Sequence, residues 1–428
     1  MRTAPIALAI AFLMFSNAVS GSVDLARELA LAAVSVDRDL SEAAISELRA
    51  MGQKGVDSLL SEHAAEISRF KETGKRSELW DRIAAAVDAV SMQKDAYASG
   101  LFWYTDLEEA KLAAKASKRP ILSLRLLGNL NEEFSCANSR LFRSILYSDP
   151  RISSHLRENY ILHWRSVRPA PRITIDFGDG RKIIRTITGN SIHYVLDADG
   201  TIIDALPGLY GQKAFLENLT QAAEISRTAG GAVAGSKYQH YNRWRAERFD
   251  RIRQAREGAL AAADISLNDP ETGTDAIRAM PIAVTKMVVT DEQTLLRRYD
   301  DFARFEAAIK LDDWRALAAV YSPVAELSDA AVGFIRIQNL ETGRSAGEFA
   351  LMLARLSEFV ALDTTRNDLL FRPQLLSWLN QPLGQDDLEA FNSRVYTELF
   401  KTPESDPWLG LYSNDVYAAL NGNGIILR

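Results

Sequence analysis

Residues 132–152 read EEFSCANSRLFRSILYSDPRI and hold the only cysteine of the chain, Cys136, with Ser139 three positions on. What surrounds them sets the fold. Upstream, AKLAAKASKRPILSLRLL (110–127) reads as the end of a helix that Thr105 can cap and Pro120 helps to stop, followed by a run suited to a buried strand. Downstream, SCANSRLFRSIL reads as a second helix and NYILHWRSV as a second strand. RITIDFGDGRKIIRTITG then predicts a hairpin turning at Asp179 and Gly180, and IHYVLDADGTIIDALPG another around Asp199 and Gly200. GQKAFLENLTQAAEI closes the series as a helix. Helix, strand, helix, strand, hairpin and final helix make an α/β layer arrangement.

The flanks have a different texture. Over SEAAISELRAMGQKGVDSLLSEHAAEI (41–67) the apolar residues Ala44, Ile45, Leu48, Met51, Val56, Leu59 and Leu60 keep close to one-face helical spacing, and Gly52 and Gly55 break the stretch into a helix pair. No second copy of this unit follows, so a solenoid is not expected. The Gly/Ala-rich RTAGGAVAGSK reads as a linker, and the chain beyond it is mainly helical with charged outer faces. The expected organisation is a signal peptide over 1–20, a helical domain over 21–100, an α/β domain over 101–224, a linker over 225–237 and a mainly helical region over 238–428. Trp408, Tyr412 and Tyr417 are expected to pin the tail onto the last region.

A formal net charge of -6 and the lack of a long Lys/Arg tract give no electrostatic reason to bind nucleic acid. The first residues, MRTAPIALAIAFLMFSNAVSG, place Arg2 before an apolar run from Ile6 to Phe15 and small residues at Ala18 and Ser20. This is the pattern of a cleavable signal peptide, with a mature chain beginning near Gly21. The run is shorter than the roughly 20 residues of a membrane helix. A periplasmic or secreted protein is therefore expected, with no membrane insertion after cleavage. In an oxidising compartment a single cysteine cannot form an internal disulfide, so Cys136 is either a reactive thiol or a small buried hydrophobe.

The stretch from Ala110 to Trp164 resembles the thioredoxin family, in its secreted or periplasmic variety. That family passes from a helix ending in Lys-Pro to a buried strand, then to Cys-x-x-Cys, an Arg and a helix ending near Asp-Pro; here AKLAAKASKRPILSLRLL, Cys136, Ser139, Arg140 and LFRSILYSDPRI follow in that order. The resemblance covers residues 101–224 and implies a thioredoxin-like α/β domain between helical flanks. It also implies a site at Cys136, with Phe134 standing near where the family has a tryptophan.

Three departures bear on chemistry. Ser139 replaces the resolving cysteine, Ser191 stands within a residue of the family's cis-proline position, and the loop GNLNEEFS before Cys136 is longer than usual. A cysteine at a helix start feels unpaired N–H groups and the positive helix end, which favour thiolate, and Arg140 would add to this. A serine hydroxyl cannot release a mixed disulfide as a second thiolate would. With no proline a trans peptide and a reshaped groove are expected, since a non-proline cis bond costs roughly 3 kcal/mol.

Around Cys136 the sequence offers His193 either as a base in a Cys/His pair or as a strand residue facing the core or solvent, and Asn190 and Ser191 as hydrogen-bonding groups that serve either a thiolate or their own turn. Cys136, His155, His163 and His193 lack metal-ligand spacing, so no metal and no cofactor is expected. DFGDG lacks the phosphate and catalytic loops of a kinase, and DADG lacks the closing glutamate of an EF-hand; both read as turns. Two functions follow. One is a monothiol Cys-x-x-Ser protein that forms mixed disulfides with protein or low-molecular-weight thiols and disulfides, as an oxidoreductase or isomerase. The other is a redox-inactive thioredoxin-like scaffold for binding or assembly, and the exposure of Cys136 separates the two.

Overall fold

The computed structural model describes residues 20–186, 190–230, 234–266, 311–322, 325–381 and 387–400, together with Thr402, Glu404, Ser405, Ala419 and Leu420. Residues 1–19, most of the stretch expected as a signal peptide, and the aromatics Trp408, Tyr412 and Tyr417, expected to pin the tail, lie outside these.

The N-terminal region is five helices: α1 (Ser20–Ala32), α2 (Arg38–Ala50), α3 (Gln53–Glu62), α4 (Ala64–Thr73) and α5 (Glu78–Ser91). Asp37 starts α2 by accepting from the N–H groups of Asp39 and Leu40, satisfying donors with no partner inside the helix. The break between α2 and α3 falls at Gly52, whose φ of 66° favours glycine. Gly55 lies inside α3 rather than at the break, and it must be glycine there since a Cβ would sit 1.9 Å from the Leu48 carbonyl oxygen. This close approach lets α2 and α3 share a core with Val56, Leu59, Ile83 and Val87, closed by Phe70 stacked on Trp80 at 3.8 Å between ring centroids.

The middle of the chain is mixed α/β. Helix α6 (Leu107–Ser117) begins at Asp106, which accepts from the Glu109 N–H, and not at Thr105; the carboxylate is the better placed acceptor. Strand β1 (Ile121–Leu127) is buried along its whole length. Next come α7 (Ala137–Leu141), which runs on into a wide turn over Phe142–Leu146, and α8 (Pro150–Asn159), capped by Asp149 with Pro150 in its first turn. Strands β2 (Ile161–Arg168), β3 (Arg172–Asp176), β4 (Lys182–Thr186), β5 (Ser191–Leu196) and β6 (Ile202–Pro207) follow, and α9 (Gln212–Ala229) ends the series. Both hairpins form where their turn residues place them. β3 pairs with β4 as a separate two-stranded sheet, and Asp197 Oδ1 holds the β5–β6 turn through the N–H groups of Asp199 and Thr201. The main sheet has the order β2-β1-β5-β6, with β1 and β2 parallel and the other pairs antiparallel.

The stretch expected as a linker is largely helical. Helix α9 reaches Ala229, and α10 (Ala234–Ala263) begins five residues on, with residues 231–233 outside the described ones. Beyond it come α11 (Leu311–Tyr321), α12 (Asp329–Gln338), α13 (Ala346–Arg366) with a wide turn over Asn367–Phe371, α14 (Arg372–Leu379) and α15 (Leu388–Arg394), extended by a wide turn over Val395–Leu399.

These helices complete the core of the sheet. One apolar cluster runs from Leu122, Leu124 and Tyr194 of the strands to Val360, Leu375, Phe391, Tyr396 and Phe400. A buried ion pair ties them further: Arg372 of α14 holds Asp204 of β6, both with no exposed side chain, and donates to Asn218 of α9 at 2.7 Å. Burial works against the Arg372 charge, yet Asp204, Tyr210 and Asp368 hold its pKa above the ordinary value.

Candidate functional site

Cys136 is the residue immediately before α7, at the helix start, and is fully buried. Its backbone N–H donates to the Leu127 carbonyl at 3.0 Å, so the loop 128–135 folds back onto the end of β1. Gly128 makes that return possible: its φ is 71°, and a Cβ there would lie 3.1 Å from Ser135 Cα. The loop is fastened on its far side as well. Thr186, at the end of β4, donates to the Ser135 carbonyl at 3.1 Å and accepts from Arg140 at 2.9 Å.

The sulfur is held as a donor. Cys136 Sγ donates to Ser139 Oγ at 3.5 Å, while the Ser139 hydroxyl proton goes to the Cys136 carbonyl at 2.8 Å. The cysteine side chain accepts no capping hydrogen bond from the helix start. Arg140 directs one arm of its guanidinium at Thr186 Oγ1. Phe134, half-buried in the loop, carries the Arg172 guanidinium over its ring at 4.9 Å.

Asn190 and Ser191 lie beside this loop, because Ser191 opens β5 opposite Leu126 of β1. No cis peptide occurs among the described residues. Their hydrogen bonds face the C-terminal region: Asn190 Nδ2 donates to Thr402 Oγ1 at 3.3 Å, and its carbonyl accepts from the Tyr396 hydroxyl at 3.2 Å. Asn190 Oδ1 and Ser191 Oγ are buried with no partner. Tyr396 also borders Cys136; burial first, and then the neighbouring sulfur, raise its phenol well above the usual range.

His193 is not paired with Cys136. Its Nε2 meets the Tyr147 hydroxyl at 2.7 Å, its Nδ1 has no partner, and Phe142 and Phe215 pack on the ring at 4.6 and 5.1 Å between centroids. Burial pushes its pKa down to about 3, so the imidazole is neutral at ordinary pH. It sits in the sheet opposite Leu124, on the face turned to these rings. His163 is likewise neutral, pushed down to about 3 by burial and then by Arg125, with Nδ1 at 2.9 Å from Ser123 Oγ. Among the described residues no group of three or more His, Cys, Asp and Glu comes together to hold a metal, and no helix is long and apolar enough to cross a membrane.

The polar groups that sequence reasoning missed belong to β1, β2 and α15. Arg125, in the middle of a buried strand, donates to Ser123 at 2.7 Å and to Glu389 at 2.8 Å; Arg165 reaches the same Glu389 oxygen at 3.3 Å. The signal available was an arginine inside the otherwise apolar ILSLRLL, since a buried charge is rare without a partner. No family model, no curated protein and no solved structure matches this chain.

Proposed function

We propose that this protein is a redox-inactive, thioredoxin-like binding scaffold that works outside the cytoplasm, its α/β layer clasped by helices from both flanks. The burial of Cys136 carries this reading. A thiol takes part in exchange only if a disulfide can reach it in line, and the Cys136 sulfur has no exposed surface and donates its proton to Ser139. The thioredoxin-like assignment draws support from the order of elements between residues 101 and 224, from Cys136 at a helix start and from the Asn190–Ser191 loop beside it. The export reading rests on the sequence of residues 1–20.

The monothiol reading keeps one favourable observation, the position of Cys136 at the start of α7. Intact-mass measurement separates the two. After incubation of the native protein with excess glutathione disulfide at neutral pH, the scaffold reading expects an unmodified mass, and a Cys136→Ser protein should keep the same partners in a pull-down from its own compartment. A glutathione adduct on native protein, absent from Cys136→Ser, would return the function to thiol exchange.

A further inference from the structure

A cavity of about 310 Å³ opens between the C-terminal halves of β1 and β2 and the helix α15 with its extension. Three guanidinium groups line it, from Arg125, Arg165 and Arg168, together with Asn392 and Tyr396. Against them stand two carboxylates, Glu389 and Glu404, so the described lining residues carry one positive charge in excess, three less two. Arg125 forms the floor. Its side chain is 1% exposed, and although Nη1 and Nη2 have partners, its buried Nε has none. Burying a guanidinium this far from water is costly unless its N–H groups find acceptors, and guanidinium groups gathered in one cavity wall make it a place for an acceptor that the cavity receives.

Glu389 meets that demand incompletely. A single oxygen, Oε1, serves both Arg125 and Arg165, and the carboxylate is half exposed at the mouth. It stands where an incoming anion would compete with it. Guanidinium forks at the end of two parallel strands suit the paired oxygens of a carboxylate or phosphate, and the crevice at the carboxyl ends of such strands is where open α/β sheets bind ligands. The volume lies at the small end of ligand pockets, enough for a small molecule and too little for a polymer chain.

We propose that this cavity binds a small molecule through its carboxylate or phosphate group, held by Arg125 and Arg165, with Glu389 as the internal anion that it displaces. The site does not involve the sulfur of Cys136 and stands apart from the scaffold reading.

Calorimetric titration of the full-length protein with inorganic phosphate in one arm and succinate in the other tests it and distinguishes the two chemistries. Saturable binding of at least one is expected, in one equivalent. Arg165→Gln, on the exposed rim, should weaken it about tenfold, the loss of one charge-assisted contact. Arg125→Gln should abolish it, with Arg165→Gln deciding if that variant fails to fold. Glu389→Gln should tighten binding by a similar factor, an outcome that a merely structural Glu389 would not produce, and Cys136→Ser should leave it unchanged. Absence of saturable binding in both arms, or affinities in Arg165→Gln and Glu389→Gln equal to that of the unaltered protein, would overturn the proposal.

Discussion

Replacing Asp204 by Asn lowers the stability of the protein by about 3–5 kcal/mol, the usual cost of removing one member of a buried ion pair. The magnitude follows from what is left behind. Arg372 has no exposed side chain, and after the substitution its charge keeps only Asp368, at 3.4 Å, and the neutral Asn218. The same region holds Arg248, which donates to Gln221 at 2.6 Å, and Tyr321, which donates to Asp368 at 3.2 Å, so the disturbance spreads through α9, α10, α11 and the turn before α14. Replacing both partners, Asp204→Leu with Arg372→Met, should cost much less than the sum of the single changes, because no unpaired charge remains. Denaturant titration of the unaltered protein, Asp204→Asn, the two single changes and their combination measures this. If Asp204→Asn shifts the midpoint no more than a surface change does, the C-terminal helices are not fastened to the sheet through this pair.

Acidification should destabilise the protein through its two buried histidines. His163 and His193 are pushed down to about 3, against about 6.5 in the unfolded chain, so the unfolded state binds more protons over that interval. The stability they contribute is complete above 6.5 and is lost as pH falls toward 3. Between pH 7 and 5 the loss is about 2 kcal/mol for each. Asp88 works in the opposite direction: burial pushes it up to about 6, so the folded state takes up a proton and regains about 1 kcal/mol over the same range. The net expectation is a loss of about 2–3 kcal/mol. His193→Leu combined with Tyr147→Phe removes one titrating ring without stranding the phenol, and should roughly halve the histidine contribution to the pH slope. A flat stability profile from pH 7 to 5 would mean that these rings are not held neutral in the core.

Much of the local structure was legible because it follows from local chemistry. Asp179-Gly180 and Asp199-Gly200 allow little except turns between alternating strands; Asp149-Pro150, expected near the end of the Cys136 helix, instead opens a separate helix, α8, with Asp149 as its cap. The N-cap at Asp106 and the helix around Gly55 were placed a little wrongly, since several nearby residues can serve and only packing selects among them. The site was harder to read. The start of a helix at Cys136 follows from local sequence, but its neighbour Tyr396 comes from more than two hundred residues along the chain. Arg125 and Glu389 are separated by 264 positions, and such a pair leaves no periodicity to detect. His193 looked like a base for the cysteine because strand alternation fixes a face but not the neighbour on it; the neighbour is Tyr147.

The scaffold reading rests on the inaccessibility of Cys136, and the rate at which a maleimide labels the native protein measures that directly. If the sulfur is reached only when the core opens, labelling in buffer should be at least about a thousandfold slower than in concentrated denaturant, given the usual several kcal/mol of such openings. It should also accelerate in step with unfolding as denaturant is added. Labelling of the native protein at a rate close to that of the unfolded chain, with no dependence on denaturant below the transition, would contradict the account.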